Sequence, residues 1–283
     1  MAGVRSSGGV AYLGPEGTFS HLLARSRFPK PATLVPKPSL DAVFDALRGG
    51  ETACALVPVE NSSGGVIPDT IDLLIESAGE IQVCEELALD VRPALIGKRD
   101  REIRTIYSHF APLRHFRHWL RESFPDVEIA PVSSTAQAAR DAQSDPSGAA
   151  ISAPGAAELY GLDVLRFPLL PGGVNITHFY VLKATGSRVG AGKAFKTALV
   201  AMPKTDQCGI LHKLLGPFAR GGINLKRIVS RPVPGRPETY VFFIEIDGAA
   251  GESAIDLALA RAGRFCEKLT VLGSYPSGKQ FRS

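Results

Sequence analysis

Four segments of the chain combine small, hydroxyl-bearing and amide residues in the way anion sites require. They are Gly14-Pro-Glu-Gly-Thr-Phe-Ser20, Pro58-Val-Glu-Asn-Ser-Ser-Gly-Gly65, Ser133-Ser-Thr-Ala-Gln137 and Ser152-Ala-Pro-Gly155. Each lies between a β-rich apolar run and a helical pattern. A helix start offers unpaired N–H groups and the positive end of a dipole, and hydroxyl or amide side chains add donors without blocking close approach. Any one of the four would also serve as a plain N-cap. Their combination in one α/β unit suggests a shared site for an anion.

Further candidates stand at strand ends. Glu60-Asn61 closes the apolar run Ala55 to Val59, where open α/β sheets place ligand-contacting residues. Ser108-His109 ends a short strand, which makes His109 a candidate proton carrier by residue type and equally a capping or core histidine. Asn175-Ile-Thr-His-Phe179 brings an amide, a hydroxyl and an imidazole close together. His115, His118 and His21 read as solvated helix-surface groups. No Ser/His/Asp triad, P-loop or dinucleotide fingerprint emerges, and the carboxylates form no obvious acid/base pair. These residues by themselves describe a two-lobed binder of small anions.

The elements that must position them alternate. Strands are predicted at Val10 to Leu13, Ala53 to Val59, Ala88 to Ile96, Arg104 to Ser108, Val127 to Val132, Gly148 to Ala153 and His178 to Leu182. Helices are predicted at Phe19 to Arg27, Thr70 to Glu76, Leu113 to Phe124, Ser134 to Ala142 and Ala156 to Tyr160. That order argues for α/β layering. Ala184 to Gly192 is small, polar and glycine-rich, as an interdomain linker is. Beyond it, strand Lys196 to Met202, a helix through Ile210, Leu214 and Phe218, strands Ile223 to Ser230 and Tyr240 to Ile246, a helix carrying Ile255, Leu259, Ala262, Cys266 and Leu269, and strand Thr270 to Gly273 form a ferredoxin-like βαββαβ unit.

Composition narrows the function classes. With 283 residues, 45% of them hydrophobic, the chain can bury two cores. The net charge of +4 is dispersed, with no basic run interleaved with aromatics, which argues against nucleic acid. Cys54, Cys84, Cys208 and Cys266 are far apart and lack metal-ligand spacing, so all four read as buried thiols and no metal is expected. The absence of an apolar leader or of a run of roughly 20 apolar residues points away from a membrane and towards a cytoplasmic enzyme.

Six motifs in order, GPEGTFS (14–20), VPVENSSGG (57–65), YSH (107–109), STAQAA (134–139), AAISAPGAAELYGL (149–162) and NITHF (175–179), resemble the prephenate dehydratase family over nearly the whole chain. The last third resembles that family's ACT regulatory domain, with Gly209-Ile-Leu211, Gly222-Ile-Asn-Leu225 and Val229-Ser-Arg-Pro232 at the family's effector-binding positions.

The resemblance implies an α/β fold in which a two-subdomain, type II periplasmic-binding-protein-like catalytic region is followed by the ACT domain. The catalytic domain is expected at 1–187, with subdomain I about 1–90 and 166–187 and subdomain II about 91–165. A linker is expected at 188–194 and the ACT domain at 195–283. The implied reaction is the decarboxylating dehydration of prephenate to phenylpyruvate, without a cofactor, in a homodimer or homotetramer that responds to L-phenylalanine. Thr177 matches the family's acid-donating threonine. The resemblance puts His178, Ser108 and His109 beside it, and Thr18, Asn61, Ser62, Ser134, Thr135, Gln137 and Phe179 on the substrate. Gly209, Ile210, Leu211, Asn224, Leu225, Val229, Ser230, Arg231 and Pro232 would form the effector site. The family's Thr-Arg-Phe reads Thr177-His178-Phe179 here, so that either His178 meets the substrate carboxylates, or another cation such as Arg92 or Arg114 enters the cleft, or dehydratase activity is weak or altered. An arogenate dehydratase, a non-aromatising prephenate decarboxylase and a non-catalytic amino-acid sensor are the alternatives.

Overall fold

A computed structural model describes residues 8–169, 174–187 and 195–283. The expected linker at 188–194 lies outside them.

Two lobes and a third sheet make up the molecule. In lobe I, β1 (Val10–Leu13), α1 (Phe19–Arg27), β2 (Leu34–Lys37), α2 (Leu40–Arg48), β3 (Cys54–Asn61), β4 (Gly65–Val66), α3 (Pro68–Glu76) and β5 (Ile81–Asp90) follow one another. Lobe II holds β6 (Ala94–Gly97), β7 (Thr105–His109), α4 (Phe110–His115), α5 (Arg117–Ser123), β8 (Glu128–Val132), α6 (Thr135–Ser144), β9 (Gly148–Ser152), α7 (Pro154–Leu159) and β10 (Asp163–Arg166). The chain then returns to lobe I as β11 (Ile176–Ala184). The C-terminal unit is β12 (Phe195–Pro203), α8 (Ile210–Arg220), β13 (Leu225–Pro232), β14 (Tyr240–Asp247), α9 (Ser253–Gly263) and β15 (Cys266–Pro276), and a last strand, β16 (Lys279–Arg282), follows.

The lobe I sheet runs β16-β5-β11-β3-β1-β2, with β4 hairpinned onto β3, and the lobe II sheet runs β10-β6-β9-β7-β8. The chain crosses between the lobes after Asp90 and again before Ile176. The two passages are bonded to each other, with Val91 N–H donating to the Asn175 carbonyl at 2.7 Å. The third sheet, β13-β14-β12-β15, is fully antiparallel and has the ferredoxin-like order.

Period-2 alternation decides what each strand of the lobe I sheet faces. One face packs on α1 through Val10, Leu56, Leu87, Phe179 and Val181. The opposite face packs on α2 and α3 and, without a break, on the C-terminal sheet, where Val57, Val83, Tyr180 and Leu182 share a core with Ala198, Val200, Phe243 and Tyr275. Helices α8 and α9 cover the far face of the C-terminal sheet.

Several expectations change. The apolar run Ala88 to Ile96 is not one strand, because it spans the crossing between β5 and β6. The helix expected at Leu113 to Phe124 is broken at Phe116 into α4 and α5. Cys266 and Leu269 belong to β15 rather than to the preceding helix, which stops at Gly263. Cys208 is exposed, whereas the other three thiols are buried, and burial pushes Cys54 and Cys266 up to about 11. His21 is buried rather than solvated. Its Nδ1 accepts the Gly17 N–H at 3.0 Å and its ring stacks on Tyr12.

Candidate active site

A cleft of about 680 Å³ lies between the lobes. Its floor is built from the paired ends of β3 and β11, where Thr177 stands opposite Asn61. The Asn61 side chain is used completely. Its Nδ2 donates to Thr177 Oγ1 at 2.8 Å and to Asn175 Oδ1 at 2.7 Å, and its Oδ1 accepts the N–H groups of Ser63 and Gly64, both at 2.9 Å. Because Oδ1 is bound to two backbone donors, the amide can face only one way. Thr177 therefore receives a hydrogen bond on its oxygen and keeps its own O–H for the cleft.

The walls come from helix starts. Thr18 caps α1, accepting the His21 N–H at 3.3 Å, and Ser134 caps α6, accepting the Gln137 N–H at 3.0 Å. Gly14, Pro15, Thr18 and Ser20 from lobe I face Ser133, Ser134 and Thr135 from lobe II, and His109, Arg114, His115 and Phe179 also belong to the lining. Burial pushes the His109 imidazole below its ordinary value, so it is neutral at pH 7. The lobes touch at both ends of the cleft: Tyr160 Oη donates to the Glu16 carbonyl at 3.0 Å, and Arg114 Nη2 donates to the Ser63 carbonyl at 3.3 Å. Gly17 makes the first contact possible. Its φ is +89°, and a Cβ there would stand 3.1 Å from the Tyr160 ring.

Thr177, His109, Thr18, Asn61, Ser134, Thr135 and Phe179 are thus brought to one cleft. Four others are not. Ser62 Oγ accepts the Ile176 N–H at 3.0 Å, Ser108 is fully buried behind the wall, and Gln137 Nε2 is turned onto Asp141 at 2.7 Å. The fourth is His178, which strand alternation places on the face opposite Thr177 and Phe179. The last of the four anion-type segments, at Ser152, also faces inward, its Oγ donating to the Thr135 carbonyl at 2.8 Å.

His178 instead joins a buried ionic network between lobe I and the C-terminal unit. Its Nδ1 lies 3.3 Å from Glu86 Oε1, and the other oxygen of Glu86 takes Lys196 Nζ at 2.6 Å. Lys196 also meets Glu245 at 2.8 Å, and Glu245 is bound by Arg227 and by Tyr180 Oη, the latter at 2.9 Å. Arg227 Nε closes the chain on Glu60 at 3.0 Å. Burial works to raise the Glu86 carboxyl, but the neighbouring His178 imidazole and the Lys196 ammonium outweigh it and hold it below its ordinary value. Burial likewise works against the Lys196 ammonium, and its two carboxylates lift it above the ordinary value. Apart from His178 and Tyr180, two residues apart on β11, these partners are distant in sequence, so only the fold reveals them.

The expected effector residues divide. Gly209, at φ +79°, is the N-cap of α8, ahead of Ile210 and Leu211, and Asn224 and Leu225 lead into β13. Val229 and Arg231 turn towards lobe I, where Arg231 pairs with Asp72, while Ser230 and Pro232 face outward.

Comparison with known proteins decides the family. The family model described as prephenate dehydratase matches residues 10–187. The chain belongs to the prephenate dehydratase family. It is 38% identical to a bifunctional chorismate mutase/prephenate dehydratase of Stutzerimonas stutzeri, over 94% of this chain and 73% of that protein. It is 34% identical to a prephenate dehydratase of Amycolatopsis methanolica, over 94% and 88% respectively. Among prephenate dehydratase structures, that of Arthrobacter aurescens in complex with L-Phe superposes with a TM-score of 0.86 at 33% identity, covering 95% of this chain and 90% of that one. The α/β class and two-lobed architecture implied by the motifs are therefore those of this prephenate dehydratase family member.

Proposed function

We propose that the chain converts prephenate to phenylpyruvate, with Thr177 as the proton donor. The observation that carries this is the bond from Asn61 to Thr177, which fixes the threonine oxygen as an acceptor and leaves its proton directed at the cleft. As the ring hydroxyl of prephenate takes up a proton and leaves as water, the C–C bond to the ring carboxylate breaks. Carbon dioxide departs, and the released electron pair completes the aromatic ring. Aromatisation drives the step. The residues have only to bind, orient and protonate, in a cleft whose helix-start N–H groups and hydroxyls suit carboxylates.

Among the described residues no Asp or Glu lines the cleft, so the ammonium group of an amino-acid analogue such as arogenate would find no carboxylate partner among them. That favours the 2-oxo acid. The C-terminal unit is read as the seat of regulation by L-phenylalanine in a self-associated form, a reading supported by the relative solved in complex with L-Phe. The test is phenylpyruvate formation from prephenate, read by absorbance in base with spontaneous decay subtracted, with and without phenylalanine. Turnover in the wild type that T177A lacks upholds the assignment, and no turnover above background rejects it.

A further inference from the structure

We propose that Arg114 is the group that captures a substrate carboxylate in this cleft, an inference that rests on the dehydratase reading above. A dianion is held best where a cation adds to the helix-start donors, and His178 faces away from the cleft, against Glu86. Among the described residues that line the cleft, Arg114 is the only one with a permanent charge. Arg92 is spent on Asp90, at 2.7 Å, and lies on a different, smaller pocket. Arg114 has no carboxylate partner among the described residues. Its one hydrogen bond is the contact from Nη2 to the Ser63 carbonyl at 3.3 Å, a single long bond to a neutral acceptor that an incoming carboxylate can outcompete through bidentate pairing.

Its placement ties it to the acid. Asn61 holds Thr177 with its Nδ2 and the Ser63-Gly64 turn with its Oδ1, and Arg114 rests on that same turn. One asparagine in lobe I therefore sets both the proton donor and the surface against which the lobe II arginine is parked. Arg114 sits in the last turn of α4, on the lobe opposite Thr177, so a carboxylate held by it would lie between the two lobes.

The experiment is steady-state kinetics of R114M and R114K with prephenate, with a thermal melt of each variant to check folding. For R114M, KM is expected to rise about 10- to 100-fold, the worth of a lost charge-assisted pair, with kcat nearly kept. R114K should recover part of the loss, and the rise of KM with salt expected of the wild type should flatten in R114M. An unchanged KM overturns the proposal. So does a fall in kcat at unchanged KM, since that would make Arg114 a support for the Ser63 turn alone. If the wild type makes no phenylpyruvate, the dehydratase reading fails. Calorimetric titration with prephenate then decides on Arg114 by itself: weaker binding to R114M upholds the role, and equal binding overturns it.

Discussion

His178 Nδ1 lies 3.3 Å from Glu86 Oε1, on the side of β11 away from the Thr177 hydroxyl one residue earlier. Neighbouring residues of one motif therefore serve different halves of the molecule: the threonine serves the cleft, and the histidine serves the junction with the C-terminal unit.

The first prediction separates them. T177A should lose about 10²- to 10⁴-fold in kcat with little change in KM, because acid assistance acts in the transition state. H178Q should hold both constants within about threefold, since the His178 side chain stands against Glu86 and does not line the cleft. A collapse of turnover in H178Q would contradict the geometry of β11.

Asn61 tests positioning without touching the acid itself. N61A removes the donor to Thr177 and both anchors of the Ser63-Gly64 turn, and a misplaced catalytic group costs about 10²-fold in rate. If N61A keeps wild-type kcat, the hydroxyl does not need its asparagine.

Glu245 is fully buried between Lys196, Arg227 and Tyr180. E245Q leaves two buried cations without their shared anion, and breaking such a pair costs about 3–5 kcal/mol. Urea unfolding should report that loss; a difference below about 1 kcal/mol would show the network to be solvated in the protein.

Stability should also depend on pH with a definite sign. Glu86 is held below its ordinary 4.5, so its contribution is present above that value and is lost as pH falls through the lower folded value. Lys196 is held above its ordinary 10.5, so its contribution is complete below that value and is lost as pH rises through the higher folded one. A stability plateau between these limits is expected, and E86Q should flatten its acid edge. An unchanged acid edge in E86Q would place the effect elsewhere.

Gly273 tests how closely the C-terminal unit is seated on lobe I. Its φ is +146°, and a Cβ there would stand 2.4 Å from the Val83 carbonyl oxygen. G273A must push β15 away from β5, so a drop in melting temperature is expected, with the strain a rare backbone conformation adds worth about 1–3 kcal/mol. A melt equal to that of the wild type would mean that the two strands separate without cost.

Much of this was legible in the sequence where the signal was local. Thr18 and Ser134 announce α1 and α6 because an N-cap is a contact between residues three apart. Strand β2, Leu34-Val-Pro-Lys37, was missed because four residues with a central proline carry little pattern. The crossing at Val91-Arg-Pro93 was hidden inside an apolar run, since a hinge buried between two lobes is as hydrophobic as a strand. Ile255, Leu259, Ala262 and Cys266 keep helical spacing past the true end of α9, because β15 begins with a residue buried in the same core. The orientation of His178 could have been read from alternation with Thr177 and Phe179, whereas its partner Glu86 is set by strand pairing across distant sequence.

The last strand has a mechanical meaning. β16 emerges from the C-terminal unit and pairs in parallel with β5, from Lys279 beside Leu87 to Arg282 beside Asp90, and Ser283 Oγ then accepts the Arg92 N–H at 2.8 Å. That places its end on the first passage between the lobes. The C-terminal unit is therefore gripped at two points rather than hung from one, and β16 ties its sheet to the first passage between the lobes. Supplied as two separate polypeptides, 8–187 and 195–283 should still find each other, because a strand of one completes the sheet of the other.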